Sequence, residues 1–216
     1  MKGLFISFEG TEGCGKSTQV TLLAERLRNM GLLVRTLREP GGTPIGEEIR
    51  HTLKHSHQNH SMTPEAELLL MNASRAQLVR EIIRPALAAG EIVLCDRFYD
   101  STIAYQGYGR ELNLAMVQQV VDLAVGNTRP DITLLFQVSP EVGNARRLAR
   151  QPHLPLDIKR DRFEEADHAF FDRVELGFKA VAEGEPNRVR VIDANGTVED
   201  VRKDIWSRIQ HLLARR

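Results

Sequence analysis

Cysteine is scarce: Cys14 and Cys95 are the only two in 216 residues. Two thiols make no disulfide framework, and a reducing, cytoplasmic setting is the expectation. Long apolar runs are missing, so no membrane-spanning segment is expected. The apolar start is broken by Glu9 and has no small-residue cleavage site, so no signal peptide is expected. An excess of one charge is missing as well. Lys plus Arg and Asp plus Glu are 29 each, giving a formal net charge of zero. The chain thus has no global basic field for gripping long nucleic acid, although local arginine clusters can still hold phosphate. Internal repeats, long linkers and low-complexity tracts are absent. What remains is ordinary, with 42% hydrophobic and 27% charged residues, which excludes disorder and coiled coil. The length suits a single α/β domain over residues 1–216 with a small mobile insertion.

One stretch organises the rest: Gly10-Thr11-Glu12-Gly13-Cys14-Gly15-Lys16-Ser17. It fits the P-loop pattern G-x-x-x-x-G-K-[ST], and its context fits too. Leu4 to Phe8 reads as a buried strand, and Val20, Leu23, Ala24, Leu27 and Met30 recur at helical spacing until Gly31. The glycines let successive backbone N–H groups converge on one anion-sized hollow, and the helix beginning near Lys16 adds the positive end of its dipole. Lys16 would reach the outer phosphates, and the Ser17 hydroxyl would bind Mg²⁺. A nucleoside-triphosphate site follows. Cys14 is read as a small residue filling a tight loop, with an easily ionised thiol at a helix start as the alternative.

Further along, a second strand from Leu32 ends at Arg38-Glu39-Pro40-Gly41-Gly42. Loops leaving strand carboxyl ends line the ligand crevice of an open α/β sheet, so Arg38 and Glu39 either meet a ligand or sit on a solvated turn. A helix from Ile45 to Leu53 carries Arg50. His51, His55, His57 and His60 follow in a polar segment, read as a solvated loop rather than a metal site. Thr63-Pro64-Glu65 opens a long helix running to Leu87, with Arg75 beside its apolar stripe, either paired or snorkelling. Ile92 to Asp96 reads as a core strand ending in an acid, and after a P-loop such an Asp is the natural partner of Mg²⁺. Tyr99 to Arg110 is dense in groups that suit a polar, planar ligand, with Gly107 and Gly109 letting the backbone come close. Strands at 131–138 and 189–193 and a helix from Val198 to Leu213 complete the pattern. Between Arg146 and Arg162 lies a cation-bearing break, read as a charged loop or, given the P-loop, as a lid over about 146–162.

Taken in order, these motifs resemble bacterial-type thymidylate kinases over nearly the whole chain. They are Phe8-Glu9-Gly10 into the P-loop, Arg38 to Thr43, Arg75-Ala76-Gln77, Asp96-Arg97, Ser101-Thr102, Ala104 to Gly107, Arg129-Pro130-Asp131 and Asp161 to Glu164. The resemblance implies a three-layer P-loop NTPase fold, a five-stranded parallel sheet with helices on both faces, a mobile lid and a homodimer. It implies ATP and Mg²⁺ with dTMP as acceptor. The balanced charge and the lack of a membrane-length apolar run are what leave neither nucleic acid nor membrane expected as partner. By the same resemblance Arg97, with Arg38 and Arg50 in support, would hold the dTMP phosphate. Arg75, Thr102 and Gln106 would meet the base, Tyr105 would crowd the sugar 2′ position, and Glu12 would lie near the acceptor sugar and phosphate. Asp96 and Ser17 would serve the metal, and Arg150 or Arg162 would be the catalytic lid arginine. Met71 stands where an aromatic ring usually stacks on thymine, so a thioether would pack there instead. His153 to Ile158 is proline- and leucine-rich where the family is short and charged. A nucleotide-dependent switch is disfavoured, since no Asn-Lys-x-Asp guanine-reading motif occurs.

Overall fold

The computed structural model describes residues 3–56, 59–150 and 167–214. Five strands, β1 (Leu4–Glu9), β2 (Val34–Arg38), β3 (Ile92–Asp96), β4 (Ile132–Gln137) and β5 (Val189–Asp193), pair in parallel in the order β2-β3-β1-β4-β5. Around them lie α1 (Lys16–Asn29), α2 (Pro44–Lys54), α3 (Pro64–Leu78), α4 (Arg84–Ala88), α5 (Tyr99–Thr102), α6 (Leu114–Val125), α7 (Pro140–Arg150), α8 (His168–Gly184) and α9 (Val198–Leu213). Alternate β1 side chains face opposite layers, as a strand requires. Ile6 and Phe8 pack with Val20, Leu23 and Leu27 of α1 and with Val201, Ile205 and Ile209 of α9. Phe5 packs with Leu68 and Leu78 of α3 and Val117 and Val121 of α6. The expected three-layer P-loop fold is thus the one found.

The sheet order decides where a ligand can sit. β1 has β3 on one side and β4 on the other, so connections depart in opposite directions and open a crevice at the strands' carboxyl ends. The P-loop, the Glu39 loop and Asp96-Arg97 all emerge there. Helix starts follow their capping chemistry: Thr43 accepts from Gly46 N at 3.0 Å and Thr63 from Ala66 N at 3.3 Å, each just before a proline.

Two expectations change. The helix expected to run on to Leu87 ends at Leu78 and passes through a π-helical turn, Val79–Ile83, into α4. Pro85 supplies no N–H and crowds the carbonyl four residues back, so regular α-geometry cannot continue through that turn. The Tyr99–Arg110 stretch is helical, α5 leading into a π-helical segment Ile103–Gly109. Gly107 and Gly109 make room for packing rather than for a ligand. A Cβ on Gly109 would lie 2.6 Å from the Phe170 ring, and one on Gly107 2.7 Å from Leu114 Cδ2. α8 docks on this segment through Phe170, Val174 and Phe178 against Ala104 and Tyr105. Beyond the break, helix is described from His168. The lid residues from 151 to 162, Arg162 among them, and His57 lie outside the described residues, as does the side chain of Arg150.

Candidate active site

The P-loop has the shape its glycines allow. Gly10, Gly13 and Gly15 adopt φ of 131°, 79° and 95°. At Gly10 any side chain would also strike the Phe136 carbonyl at 2.5 Å. Gly15 precedes α1 with no side-chain cap, and no acid lies in the first turn, which suits an anion at that terminus. Lys16 Nζ donates to the carbonyls of Gly10 at 2.9 Å and Thr11 at 2.8 Å, so its ammonium lies along the loop. Ser17 Oγ donates to Asp96 Oδ2 at 2.6 Å, bringing together the two residues expected at the metal.

Beside the loop opens a cleft of roughly 430 Å³, open solvent at its mouth included. Glu12, Arg75, Arg97, Thr102, Tyr105, Gln106, Glu39 and Met71 all line it, so most of the expected acceptor residues converge. Arg38 and Arg50 do not. Both guanidinium groups donate to the Pro40 carbonyl, at 3.1 and 2.9 Å, and Arg38 also pairs with Glu47. They brace the loop whose Glu39 and Pro40 form the cleft wall.

Glu12 joins the two halves. Arg97 Nη2 donates to its Oε1 at 2.6 Å and the Tyr105 hydroxyl to its Oε2 at 2.8 Å. Burial pushes Glu12 up, but the cations of Arg97 and Lys16 outweigh it and hold the carboxyl down at about 2. Arg97 also reaches Ser101 Oγ at 3.0 Å and lies over the Tyr105 ring. Burial works against its charge, yet the oxygens of Tyr105, Glu12, Asp96 and Glu9 keep it firmly protonated.

Arg75 is buried and committed. Nε and Nη2 donate to Glu39 Oε2 at 2.9 and 2.7 Å, Nη1 to Asn72 Oδ1 at 2.8 Å and Thr102 Oγ1 at 2.9 Å, and Nη2 to the Phe98 carbonyl at 3.2 Å. All five guanidinium protons are in use. Burial pushes the Glu39 carboxyl up despite this cation, and its Oε1 has no partner among the described residues.

Several contributing residues escape sequence reasoning. Lys54 lines the cleft from the end of α2, one helical turn past Arg50 on the same face, and that spacing was the available signal. Ser101 lines it as well. Glu9, an interruption in an apolar run and part of the Phe8-Glu9-Gly10 motif but given no role of its own, is fully buried beneath the site. It accepts from Phe98 N at 2.7 Å and Ser101 Oγ at 2.5 Å. Nearby, Arg188 grips Asp100 with two bonds of 2.7 and 2.8 Å.

Burial, with the Asp100 carboxylate nearby, pushes Glu9 up to about 8 from an ordinary 4.5, against opposing help from Ser101, Arg97 and Phe98. Because the folded value lies above the unfolded one, the stability Glu9 contributes is complete below about pH 4.5 and is lost as pH rises through about 8. Glu9→Gln keeps the shape without the titration. In urea unfolding at about pH 5 and about pH 9, the parent should lose more stability than the variant. Equal losses would refute a neutral Glu9.

A profile of the thymidylate kinase family matches residues 8–205. The chain belongs to the thymidylate kinase family. It is 49% identical over 202 residues to the thymidylate kinase of Syntrophotalea carbinolica, covering 94% of this chain and 93% of that one. It is 47% identical over 215 residues to that of Pseudomonas fluorescens, covering 100% and 99%. In three dimensions it matches the crystal structure of thymidylate kinase from Ehrlichia chaffeensis with a TM-score of 0.77 at 33% identity, covering 97% and 99%. The family likeness thus extends over P-loop, cleft wall and the packing behind both.

Proposed function

We propose that this chain transfers the γ-phosphate of ATP to dTMP, giving ADP and dTDP on the way to dTTP. One observation carries the reading: a P-loop and a polar cleft share a single carboxylate, Glu12, which the cleft cation Arg97 and the Tyr105 hydroxyl hold in place. A triphosphate laid on the loop would bring its outer phosphates to Lys16 and the start of α1. A nucleoside monophosphate in the cleft would set its phosphate against Arg97, with Lys54 at the same wall, and its base against Thr102, Gln106 and Met71. Tyr105 would crowd the sugar 2′ position.

The acceptor phosphate is already anionic at neutral pH, so no strong base is required. The chain's task is to align two anions and offset their repulsion for in-line transfer without a covalent enzyme intermediate. Ser17 Oγ and Asp96 Oδ2 are hard oxygen donors side by side at the loop, a set that fits Mg²⁺. When bound, the ion would neutralise charge on the donor phosphates. In this reading residues 1–216 form one kinase domain, with a lid over about 146–162 carrying Arg150 and Arg162 as the arginines that cover the transferring group.

A homodimer is part of the proposal, supported by exposed Ile45, Leu69, Leu114, Met116 and Leu123 on α2, α3 and α6. A cytoplasmic setting without nucleic-acid or membrane partners accords with zero net charge. No helix of the described residues is long and apolar enough to cross a membrane. The test is an acceptor panel of dTMP, dUMP, dCMP, dGMP and AMP with ATP and Mg²⁺, read by ADP release. dTMP should give the highest kcat/KM, and absence of that preference would sink the proposal.

A further inference from the structure

We propose that Glu67, which lies behind the cleft wall, selects the base by locking the side-chain amide of Gln106 in one orientation. The inference rests on the dTMP reading above. Glu67 on α3 is fully buried. Its Oε1 accepts from Gln106 Nε2 at 2.8 Å, and Arg110 reaches the same carboxylate through Nε at 3.3 Å and Nη2 at 3.1 Å. A carboxylate paired with arginine can only accept hydrogen bonds. The amide must therefore turn its NH₂ toward Glu67, leaving Gln106 Oε1 as the end offered to the cleft that Gln106 lines. Turning the amide over would set two oxygens against each other in a buried place, which is costly.

The neighbouring group is fixed in the complementary sense. Thr102 Oγ1 accepts a hydrogen bond from Arg75 Nη1, so its own O–H is left to donate into the cleft. The wall thus offers a donor beside an acceptor. Thymine and uracil present a carbonyl beside N3–H, which pairs with both. Cytosine presents an amino group beside an unprotonated N3, which opposes both. Glu67 is a positioning residue, acting through Gln106, and Arg75 does the same through Thr102.

Glu67→Gln removes the lock, because an amide at 67 can face Gln106 with either end. The ratio of kcat/KM for dTMP over dCMP should fall by ~10-fold or more. The ratio for dTMP over dUMP, whose reading edges are identical, should stay within about twofold of the parent. Arg110→Lys keeps a cation beside Glu67 and leaves the Gln106 bond in place, so it should alter neither ratio. A merely structural role for Glu67 would loosen the cleft for every base and move both ratios together. Should Glu67→Gln not fold, Glu67→Asp withdraws the acceptor by one methylene and is read the same way. A dTMP over dCMP ratio that survives the substitution overturns the proposal. A parent protein with no preference for dTMP would instead overturn the reaction itself.

Discussion

Replacing Arg97 with methionine should lower kcat/KM for dTMP by ~10³ while leaving KM for ATP within about twofold. The cleft wall holds the cations Arg97, Arg75 and Lys54 and the carboxylates Glu12 and Glu39. Arg75 is buried with every donor spent on Glu39, Asn72, Thr102 and Phe98. Arg97 stays partly exposed in the cleft, so of the two arginines it is the one placed for an entering phosphate dianion. With methionine at 97, Glu12 would face that dianion without its closest partner, and attraction would become repulsion. Glu12 would report the loss directly, its carboxyl rising from about 2 toward the ordinary range. The parent's Glu12 contributes stability above about pH 4.5 that is lost as pH falls through about 2. In the variant the folded and unfolded values converge, so the Glu12 share of the loss between about pH 4.5 and about pH 2 should shrink. Steady-state kinetics varying each substrate separately decides the matter. A comparable rise in KM for ATP would mean that the loop itself had collapsed.

The second large effect concerns stability. Arg75 and Glu39 have side chains only 2% and 4% exposed. Breaking such a pair from one side leaves a buried charge without its partner and costs ~3–5 kcal/mol. At about 2–4 °C per kcal/mol for a chain of this size, Arg75→Met should lower Tm by ~6–20 °C. The pH dependence separates this from simple loss of packing. Burial already pushes Glu39 up, and without Arg75 its folded value rises further. The stability of neutral Glu39 is complete below the unfolded carboxyl value and is lost as pH rises through the folded one. The Tm deficit should therefore widen between about pH 5 and about pH 8, and adding Glu39→Gln should recover part of it at the higher pH. Calorimetry of the three proteins measures this, and a deficit that does not vary with pH would rule the argument out.

Much of this site was legible because its physics is local. The P-loop declares itself through glycines needed at positive φ and a lysine-serine pair at a helix start, all within eight consecutive residues. Asp96 could be placed because a strand ending in an acid beside a P-loop has few other uses, and Ser17 meets it at 2.6 Å. What escaped depends on contacts across long stretches of chain. Glu9 looks like a flaw in an apolar strand until the Phe98 N–H and Ser101 hydroxyl, some ninety residues on, are seen to need an acceptor. Arg38 at a strand end and Arg50 on the following helix are expected to support the phosphate through the family resemblance alone. Only the folded loop reveals that the Pro40 carbonyl takes both guanidinium groups first. Gly107 and Gly109 suggested an open backbone for a ligand, and Leu114 of α6 and Phe170 of α8 fill that space. Glycine spacing shows that something approaches closely, not what it is.

Arg97 has φ of 69°, held by its N–H to the Phe8 carbonyl at 2.9 Å and by Phe98 N to Glu9. The backbone at this residue alone would favour glycine or asparagine by about 1 kcal/mol. A glycine there would relax the turn but leave the Glu12 carboxylate without its closest cation. Position 97 should therefore resist exchange in a library screened by survival on heating as firmly as in one screened by activity.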